Sequence, residues 1–436
     1  MTSPSRVLQA GSVLTPAGML SPGWVAVEEG TIAGTGAGVR TRAAGGGGDT
    51  SPASLAGLVD LGPLTLSPGF VDVHVHGGDG AQVNGGTVSE VVESVARIAR
   101  FHARHGTTTL LATTVSDTPE RLLTTVTGLA AVVRADRPAA EGRHGEADRS
   151  GSGGAGDGGG HGGAVVRGIH LEGPFIARAK MGAQDPSALR PVDIAELRRL
   201  ATAAGRAIRL VTVAPELDRS TELIAEVLSL GAAVAIGHTD ASYDATCTAI
   251  EAGATHATHL FNAMAPLHHR MPGAVTALLL DDRVTVEVIA DLEHLHPAVL
   301  ALVARVAPGR LVVVSDAVTA TGLEPGTYQL GRLDVEVRGG RVSLAANPQT
   351  LAGSVLTMDV AVRNLVGAAG LSVDDALTAA SATPARAAGL DALGVGRVEA
   401  GSPADLVLLD ADLGVVATLV GGDAVFDPTG LLRLPA

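Results

Sequence analysis

The stretch "AVVRGIHLEGP" (residues 164–174) is apolar along most of its length and then ends in an acid followed by Gly-Pro. A short run that is apolar on both faces is typical of a strand covered on both sides, as in a parallel sheet. Side chains alternate along a strand, so His170 and Glu172 point to the same face. An unpaired carboxylate is costly in an apolar interior; the single lysine of the chain, Lys180, lies outside this run, and residues 168–176 around Glu172 contain no arginine. A metal ion is therefore the candidate partner of Glu172.

Seven further runs of the same kind occur along the chain, separated by helical stretches rich in Ala, Leu and Arg. Their sequences are "SPGFVDVHVHG" (67–77), "TTTLLATTV" (107–115), "IRLVTVAPE" (208–216), "GAAVAIGHT" (231–239), "THATHLFN" (255–262), "TVEVIADLEH" (285–294) and "RLVVVSDAV" (310–318). Eight strands in alternation with helices predict an α/β fold, a (β/α)8 barrel of the TIM type. An open doubly wound sheet is the alternative, but it usually has fewer strands and a Gly-rich phosphate-binding turn after the first. Neither the smaller number of strands nor the Gly-rich turn is seen in this sequence.

Polar side chains follow most of these strands at the point where each strand ends. They are His74, His76, Glu172, His238, His259, His294 and Asp316. Barrel enzymes build their active sites at this end of the barrel. Neutral imidazoles with carboxylates suit Zn²⁺ or Fe²⁺ and leave a position open for water. His74 and His76 alone would fit a hydrogen-bonded pair in the core equally well, but ligand-type residues at the other strand ends favour a metal site.

The two ends of the chain differ from the barrel region. Residues 1–66 contain two short strands joined by a Gly turn, and residues 399–436 contain another strand-turn-strand pattern. We predict that these two parts form one small β-sandwich domain and that residues 67–398 form the barrel. Residues 138–163 are dominated by Gly and lack an apolar period, which predicts a disordered insertion. The run "GGGG" (45–48) predicts a loop.

Composition limits the classes of protein to which the chain can belong. With 436 residues it has room for a barrel and a minor domain. Its net charge of −14 argues against nucleic-acid and anionic-membrane partners. The single Cys247 excludes an intramolecular disulfide and a Cys-based zinc site. The first residues lack the pattern of a signal peptide, and no window is apolar enough to span a membrane. Together these features predict a soluble, cytoplasmic protein.

Five short motifs carry a resemblance to a known family. They are "HLEGPF" (170–175), "GHTDA" (237–241), "THLFNAM" (258–264), "SDAV" (315–318) and "LAGSVLTM" (351–358). Together with the His-x-His of strand one, they resemble the amidohydrolase superfamily and, within it, the family of N-acetylglucosamine-6-phosphate deacetylases. The resemblance extends from about residue 60 to the C-terminus and is interrupted by the Gly-rich insertion.

The resemblance implies a centre of one or two divalent ions, Zn²⁺ or Fe²⁺. Its expected ligands are His74, His76, Glu172, His238, His259 and Asp316. Related two-metal amidohydrolases bridge their ions with a carbamylated lysine at strand four, but the strand-four run "IRLVTVAPE" has no lysine. Glu172 is therefore expected to be the bridging or sole carboxylate ligand, and His170 is expected to pack beside the site. The presence of both His74 and His76 favours a second metal ion.

The resemblance also implies contacts to the substrate. The residues concerned are Ala183, Gln184, Asn262, Ala263, Arg270, His294, Ala352, Gly353 and Ser354. Asn262 and Ala263 match positions that hold the phosphate, and Arg270 matches an arginine supplied across the interface of a homodimer. Gln184 stands where many members carry a histidine that polarises the acetyl carbonyl. Its amide can still donate a hydrogen bond, but it is uncharged and a weaker partner for an oxyanion.

The resemblance predicts a hydrolase that removes acetate from N-acetyl-D-glucosamine 6-phosphate in amino-sugar catabolism or recycling. In the implied mechanism Asp316 accepts a proton from the attacking water and delivers it to the leaving amine, while the metal and Gln184 stabilise the oxyanion. Another N-acetylhexosamine phosphate, such as the galactosamine epimer, and another amidohydrolase reaction, such as that of a dipeptidase, are alternatives. A catalytically inactive barrel that serves as a scaffold is the alternative from a different class. Ligand residues at every expected strand end argue against it.

Overall fold

The computed structural model describes residues 6–40, 57–136 and 162–432. Two predictions from the sequence fall on the remaining residues. The disordered insertion predicted at 138–163 lies almost wholly outside the described residues, and the loop predicted at 45–48 lies outside them. Both therefore stay predictions.

The first described part of the chain forms seven short strands. They are β1 (Arg6–Ala10), β2 (Ser12–Thr15), β3 (Gly18–Leu20), β4 (Gly23–Glu28), β5 (Thr31–Ala37), β6 (Leu58–Asp60) and β7 (Thr65–Pro68). The predicted hairpin is the antiparallel pair β4–β5, whose turn places Glu29 and Gly30 at positive φ. The other five strands were not predicted, because strands of this length are too short to show a clear alternation of apolar and polar residues.

The barrel region contains the next ten strands. They are β8 (Phe70–Val75), β9 (Gly77–Gly78), β10 (Ala81–Gln82), β11 (Thr107–Thr114), β12 (Val165–Glu172), β13 (Ile208–Val213), β14 (Ala233–Ile236), β15 (His256–Ala257), β16 (Thr285–Ile289) and β17 (Leu311–Val314). Apart from the hairpin β9–β10, they form one parallel sheet in the order β17-β16-β15-β14-β13-β12-β11-β8, which confirms the predicted barrel. The Asp316 N–H donates to the carbonyl of His74 at 3.0 Å, and the His76 N–H donates to that of Ala317 at 2.9 Å. These bonds join the last strand to the first at the end that carries the predicted site.

Ten α-helices are present in the described residues. They are α1 (Val88–Ala103), α2 (Pro119–Ala135), α3 (Ile194–Ala204), α4 (Ser220–Ser229), α5 (Tyr243–Glu251), α6 (Gly273–Leu280), α7 (Pro297–Val306), α8 (Met358–Gly367), α9 (Val373–Ala379) and α10 (Ala382–Ala387), with short 3₁₀ turns at Arg178–Lys180 and Asp391–Leu393. Helix α1 begins with a capping box between Thr87 and Glu90, and it buries Val91, Val95 and Ile98 at helical spacing. Within the described ranges, none of the helices has the length and apolar character needed to cross a membrane.

A four-stranded antiparallel sheet follows the last barrel strand and was not predicted. Its strands are β18 (Gly326–Leu330), β19 (Leu333–Arg338), β20 (Arg341–Leu344) and β21 (Asn347–Leu351), paired in that order. It has a small apolar core of its own, which includes Val335, Val337 and Val342. The alternation of Val335 and Val337 with polar residues, followed by the turn Gly339–Gly340, is a hairpin signal that the sequence carries.

The chain ends in three strands that return to the N-terminal part. They are β22 (Leu406–Leu409), β23 (Val415–Val420) and β24 (Asp423–Phe426). They form a six-stranded sheet in the order β24-β23-β22-β7-β2-β3, and the second sheet has the order β5-β4-β1-β6. Leu8, Leu66, Leu406 and Leu419 belong to one buried cluster, so residues from both chain ends share a core, as predicted. The exact domain boundaries stay predictions, since β7 spans the first of them.

Candidate metal centre

All six predicted metal ligands lie together at the carboxyl ends of barrel strands, and all are buried. They are His74, His76, Glu172, His238, His259 and Asp316, each 5% exposed or less. At His238, His259 and Asp316 the φ angles are +48°, +25° and +49°. A left-handed backbone conformation is unfavourable for residues other than glycine, and the residues that adopt it are often found at functional sites. The backbone is therefore strained at three of the six predicted ligands.

The ligand atoms form two groups of three. In the first triad (His74, His76, Asp316), the Nε2 atoms of the two histidines are 3.0 Å apart, and Asp316 Oδ1 lies 3.5 Å from His74 Nε2 and 3.3 Å from His76 Nε2. In the second triad (Glu172, His238, His259), the two Nε2 atoms are 3.1 Å apart, and each is 3.1 Å from Glu172 Oε1.

Glu172 connects the two triads. Its Oε1 lies 3.4 Å from His74 Nε2, and its Oε2 lies 3.4 Å from His76 Nε2. A single carboxylate therefore lies within reach of both groups of ligands. The sequence predicted Glu172 as the bridging or sole carboxylate ligand, and a position within reach of both triads fits the bridging role.

The hydrogen bonds of the histidine rings indicate whether a metal ion fits between the ligand atoms. His76 Nδ1 donates to the carbonyl of Thr113 at 3.1 Å, and His238 Nδ1 donates to that of Lys180 at 2.9 Å. A neutral imidazole that donates through Nδ1 carries a lone pair on Nε2. When these rings are neutral, Nε2 of His76 in the first triad and Nε2 of His238 in the second turn a lone pair toward the neighbouring ligand atoms, and a proton or a metal cation must lie there to offset it. Bonds of about 2.0–2.1 Å in a tetrahedron place ligand atoms roughly 3.3 Å apart, close to the observed spacing, so these residues fit a divalent metal.

The electrostatics of the centre also favour a cation. Burial alone lowers the pKa of His74, but the surrounding carboxylates, Glu287 first, raise it well above its ordinary value. Burial also opposes the charged form of His76, yet hydrogen bonds to Asp316 and Glu172 raise its pKa to about 9. For Glu172, burial raises the pKa and the histidines, His74 first, lower it well below the usual range. The site therefore stabilises positive charge at the point where the ligand atoms converge.

Two buried carboxylates beside the centre were not predicted. Glu287 on β16 accepts hydrogen bonds from His74 and His256. Asp72 on β8 accepts the backbone N–H of His74 and that of Ser315, both at 3.3 Å, and ties the first barrel strand to the last. Burial, which outweighs these bonds, raises the pKa of Asp72 to about 7. The signal that identified Glu172, an acid within an apolar strand, is also present for both of these residues.

His170 lies below the ligands and has partners of its own. Its ring shares hydrogen bonds with Thr212 Oγ1 at 2.8 Å through Nε2 and with the carbonyl of Val73 at 3.2 Å through Nδ1. Both ring nitrogens are therefore engaged within the barrel core. This agrees with the expectation that His170 packs beside the centre.

A cavity of about 290 Å³ opens above the ligands. Six of the predicted substrate contacts line it: Ala183, Gln184, Asn262, Ala263, His294 and Gly353. The unpredicted β18–β21 sheet contributes Leu330 and the end of β21, from Gln349 to Leu351. Three predicted contacts, Arg270, Ala352 and Ser354, do not line this cavity. Ala352 is buried in the core of the β18–β21 sheet, and Ser354 binds the backbone carbonyls of Ser315 and Asp316.

Gln184 contacts the bridging carboxylate. Its Oε1 accepts the backbone N–H of Ser116 at 2.6 Å, which fixes the orientation of the amide, and its Nε2 donates to Glu172 Oε2 at 2.7 Å. Close packing after Glu172 makes this contact feasible: a Cβ on Gly173, where φ is +87°, would lie 2.1 Å from Ser116 Oγ. Only glycine fits there. One amide hydrogen of Gln184 is thus used by Glu172.

His294 and Asn262, which also line the cavity, are held by local bonds. His294 Nδ1 donates to Asp291 Oδ2 at 2.7 Å, which leaves Nε2 for the cavity. Burial raises the pKa of Asp291, but the bond to His294 outweighs it and the pKa is lowered. Asn262 Nδ2 donates to the carbonyl of His259 at 3.2 Å, and the neighbouring Ala263 has a φ of +49°.

Comparison with known proteins agrees with this geometry. The model of the amidohydrolase family matches residues 65–429. The chain is similar to N-acetylglucosamine-6-phosphate deacetylase of Homo sapiens, with 38% identity over 375 residues, 84% of this chain and 85% of that protein. It is 33% identical to N-acetylgalactosamine-6-phosphate deacetylase of Escherichia coli O157:H7 over 96% of this chain and 98% of that protein.

A solved structure extends the similarity to three dimensions. It is N-acetyl-D-glucosamine-6-phosphate deacetylase from Mycobacterium smegmatis, a mutant in complex with N-acetyl-D-glucosamine-6-phosphate. It has 39% sequence identity and a TM-score of 0.82, and the match covers 97% of this chain and 100% of that chain. These similarities confirm the resemblance predicted from the sequence: the chain belongs to the amidohydrolase family, whose members use divalent metals.

Proposed function

We propose that this chain is a metal-dependent hydrolase that converts N-acetyl-D-glucosamine 6-phosphate into D-glucosamine 6-phosphate and acetate. The observation that carries the proposal is the pair of ligand triads at the floor of a cavity, with Glu172 between them. The similarity to deacetylases of this sugar phosphate supports the choice of substrate. Ligand residues at every expected strand end argue against an inactive scaffold.

A divalent metal held by the two triads would polarise the amide carbonyl and activate water. Imidazole and carboxylate donors favour Zn²⁺ or Fe²⁺, and the two triads have room for one or two ions. The other steps belong to residues of the chain. Asp316 lies at the cavity, and its backbone is fixed on both sides by bonds to His74 and Ser354. In this position it accepts a proton from water and passes it to the nitrogen as the C–N bond breaks.

Gln184 and His294 are proposed to orient the sugar. The amide orientation of Gln184 is fixed by Ser116, so its second amide hydrogen can donate to the acetyl oxygen, as we predicted. His294 presents Nε2 to the cavity because its Nδ1 is held by Asp291. Asn262 and Ala263 lie at the cavity edge and are proposed to hold the phosphate.

Arg270 is proposed to bind the phosphate from a second copy of the chain. It is exposed, does not line the cavity of its own subunit, and its guanidinium bonds to His269 at 2.7 Å. The neighbouring Leu267 and Met271 are 50% and 71% exposed, which favours burial against another subunit. A chain with a net charge of −14 needs a focused positive contact to bind an anionic sugar.

Replacing Arg270 by alanine is expected to raise the KM for the phosphorylated sugar by about 10- to 150-fold, because a charged hydrogen bond worth roughly 1.5–3 kcal/mol is lost. The slow hydrolysis of the unphosphorylated sugar is expected to change little. Steady-state kinetics on both sugars measures the difference. Arg283→Ala is the matched control, since Arg283 is exposed and pairs with Asp281 and Glu251, which do not line the cavity.

Mixed dimers test whether Arg270 acts across the interface. When inactive Asp316→Asn subunits are mixed with Arg270→Ala subunits, each hybrid has one site with its own Asp316 and the partner's Arg270. Activity is therefore expected to return. If hybrids form without a return of activity, Arg270 acts within its own subunit or not at all.

The substrate is tested by comparing the two epimers. The 33% identity to a galactosamine-type deacetylase over nearly the whole chain keeps N-acetyl-D-galactosamine 6-phosphate as a second candidate. The kcat/KM for both sugar phosphates, measured with metal content, is expected to favour the glucosamine epimer. If metal-loaded protein releases acetate from neither epimer, the proposed function is rejected.

A further inference from the structure

A buried carboxylate without a predicted role contacts both triads. Glu287, in the middle of β16, is fully buried, and its two oxygens accept three hydrogen bonds. Oε1 accepts from His74 Nδ1 at 2.8 Å and from the backbone N–H of His259 at 2.9 Å, and Oε2 accepts from His256 Nε2 at 3.0 Å. Glu287 thus joins a side chain of the first triad to the backbone of the second.

The bond to His74 determines which ring nitrogen of that histidine is free to bind a metal. A carboxylate only accepts, so His74 Nδ1 carries the hydrogen and Nε2 keeps its lone pair toward the first triad. His76 and His238 donate instead to uncharged backbone carbonyls. A carboxylate is the stronger acceptor, and it makes the imidazole that donates to it a better metal ligand.

The bond to His259 acts on strained backbone. With φ at +25°, His259 lies in a region that residues other than glycine rarely adopt. Its Nδ1 has no hydrogen-bond partner in the described part of the chain. Apart from Nε2, which faces Glu172 and His238, the ring is therefore positioned by its backbone, and Glu287 holds the backbone N–H directly.

His256 completes the arrangement. It is fully buried, its Nδ1 lies 2.7 Å from Thr285 Oγ1, and its Nε2 donates to Glu287. In the described ranges the ion-pair partners of Glu287 are the two histidines His74 and His256, with no lysine or arginine. His256 thus supplies one of the three N–H groups that compensate a carboxylate without access to water.

We propose that Glu287, held in place by His256, is a positioning residue that tightens metal binding at both triads. It fixes the orientation and tautomer of His74 and holds the strained backbone at His259. The inference rests on the metal centre of the proposed function. A polar pair that served only to stabilise the barrel would leave metal affinity unchanged.

Glu287→Gln tests the proposal, since it keeps the size of the side chain and removes its charge. The Zn²⁺ affinity of the apo-protein, measured by competition with a chromophoric chelator, is expected to fall roughly 10- to 100-fold. The Tm of the apo-protein separately reports any effect on the fold. Thr212→Val is the matched control: it removes a buried hydroxyl that bonds His170 and Thr258, neither of which is a predicted ligand, and its Zn²⁺ affinity is expected to stay within about twofold of wild type.

Wild-type Zn²⁺ affinity in Glu287→Gln, or a loss no greater than that in Thr212→Val, overturns the inference. If Glu287→Gln does not fold, Glu287→Asp takes its place. It keeps the charge but is one methylene shorter and cannot reach all three partners, so the same loss is expected and wild-type affinity again overturns the inference. A wild-type protein that binds no Zn²⁺ would overturn the metal-dependent function as well, whereas tight binding by the Glu287 variant would overturn only the positioning role.

Discussion

Replacing Glu172 by glutamine is expected to abolish both metal binding and amide hydrolysis. Glu172 is the one carboxylate of the six ligands that lies within 3.4 Å of atoms in both triads. An amide in its place removes the negative charge that offsets the cation, and it replaces one of the two oxygens beside the triads by an NH2 group, which donates hydrogen bonds and does not bind a metal. Even changes to the partners of ligands typically cost 10–100-fold in metal affinity, so the loss here is expected to exceed about 100-fold.

Metal content after dialysis and the rate of acetate release measure this effect. Glu196→Gln is a matched control, because Glu196 is also a buried glutamate, 3% exposed, but it pairs with Arg190 and does not line the cavity. The control is expected to keep its metal even if its Tm falls. A Glu172→Gln protein with full metal content and normal turnover would refute the role of Glu172 as a ligand.

The barrel and the ligand set could be predicted because both depend on local patterns. A strand that is buried on both faces is a continuous apolar run, and parallel strands bring their carboxyl ends to one edge. His238, His259 and Asp316 each follow such a run by two residues in the structure. The ligands are far apart in the chain, but each follows an apolar run that the sequence shows, so their meeting at one end of the barrel could be predicted.

Contacts that depend on loop geometry could not be predicted in this way. The sequence shows a glutamine at position 184, but its contact with Glu172 depends on the bond from Ser116 and on the tight turn at Gly173. Likewise, Ser354 stands beside Gly353 in the chain, yet it turns inward to Ser315 while Gly353 lines the cavity. These differences arise from side-chain packing between distant segments, which spacing along the chain does not determine.

Glu287 shows the same sequence signal as Glu172, but its partners in the structure are different. Its strand is short and apolar, and an acid in such a strand is as costly as Glu172 would be without a partner. The same physical argument therefore applies to both residues. Only the structure shows that the partners of Glu287 are ring and backbone N–H groups, whereas Glu172 lies within 3.4 Å of ring nitrogens in both triads and accepts an amide N–H from Gln184.

Replacing Asp316 by asparagine is expected to lower kcat by about 10²- to 10⁴-fold, the usual contribution of a general acid–base group. Asparagine has nearly the same shape and keeps the backbone bonds to His74 and Ser354, but it can neither accept the proton from water nor return it to the amine. The second triad contains no atom of Asp316, so the metal held there is expected to remain. KM for the sugar phosphate is expected to change much less than kcat, since the substrate contacts stay in place.

Kinetics on the sugar phosphate, with the metal content of the same sample, separate the loss of proton transfer from the loss of metal. Asp359→Asn is the matched control: Asp359 is also buried and bonds a histidine, His105 at 3.2 Å, but it does not line the cavity. The control is expected to keep kcat within about threefold of wild type. If Asp316→Asn retains more than about a tenth of wild-type kcat with its metal bound, proton transfer must be assigned to another group. If Asp316→Asn loses all metal, Asp316 is required for metal binding. The fall in kcat then follows from the loss of metal, so the part of Asp316 in proton transfer must be measured separately.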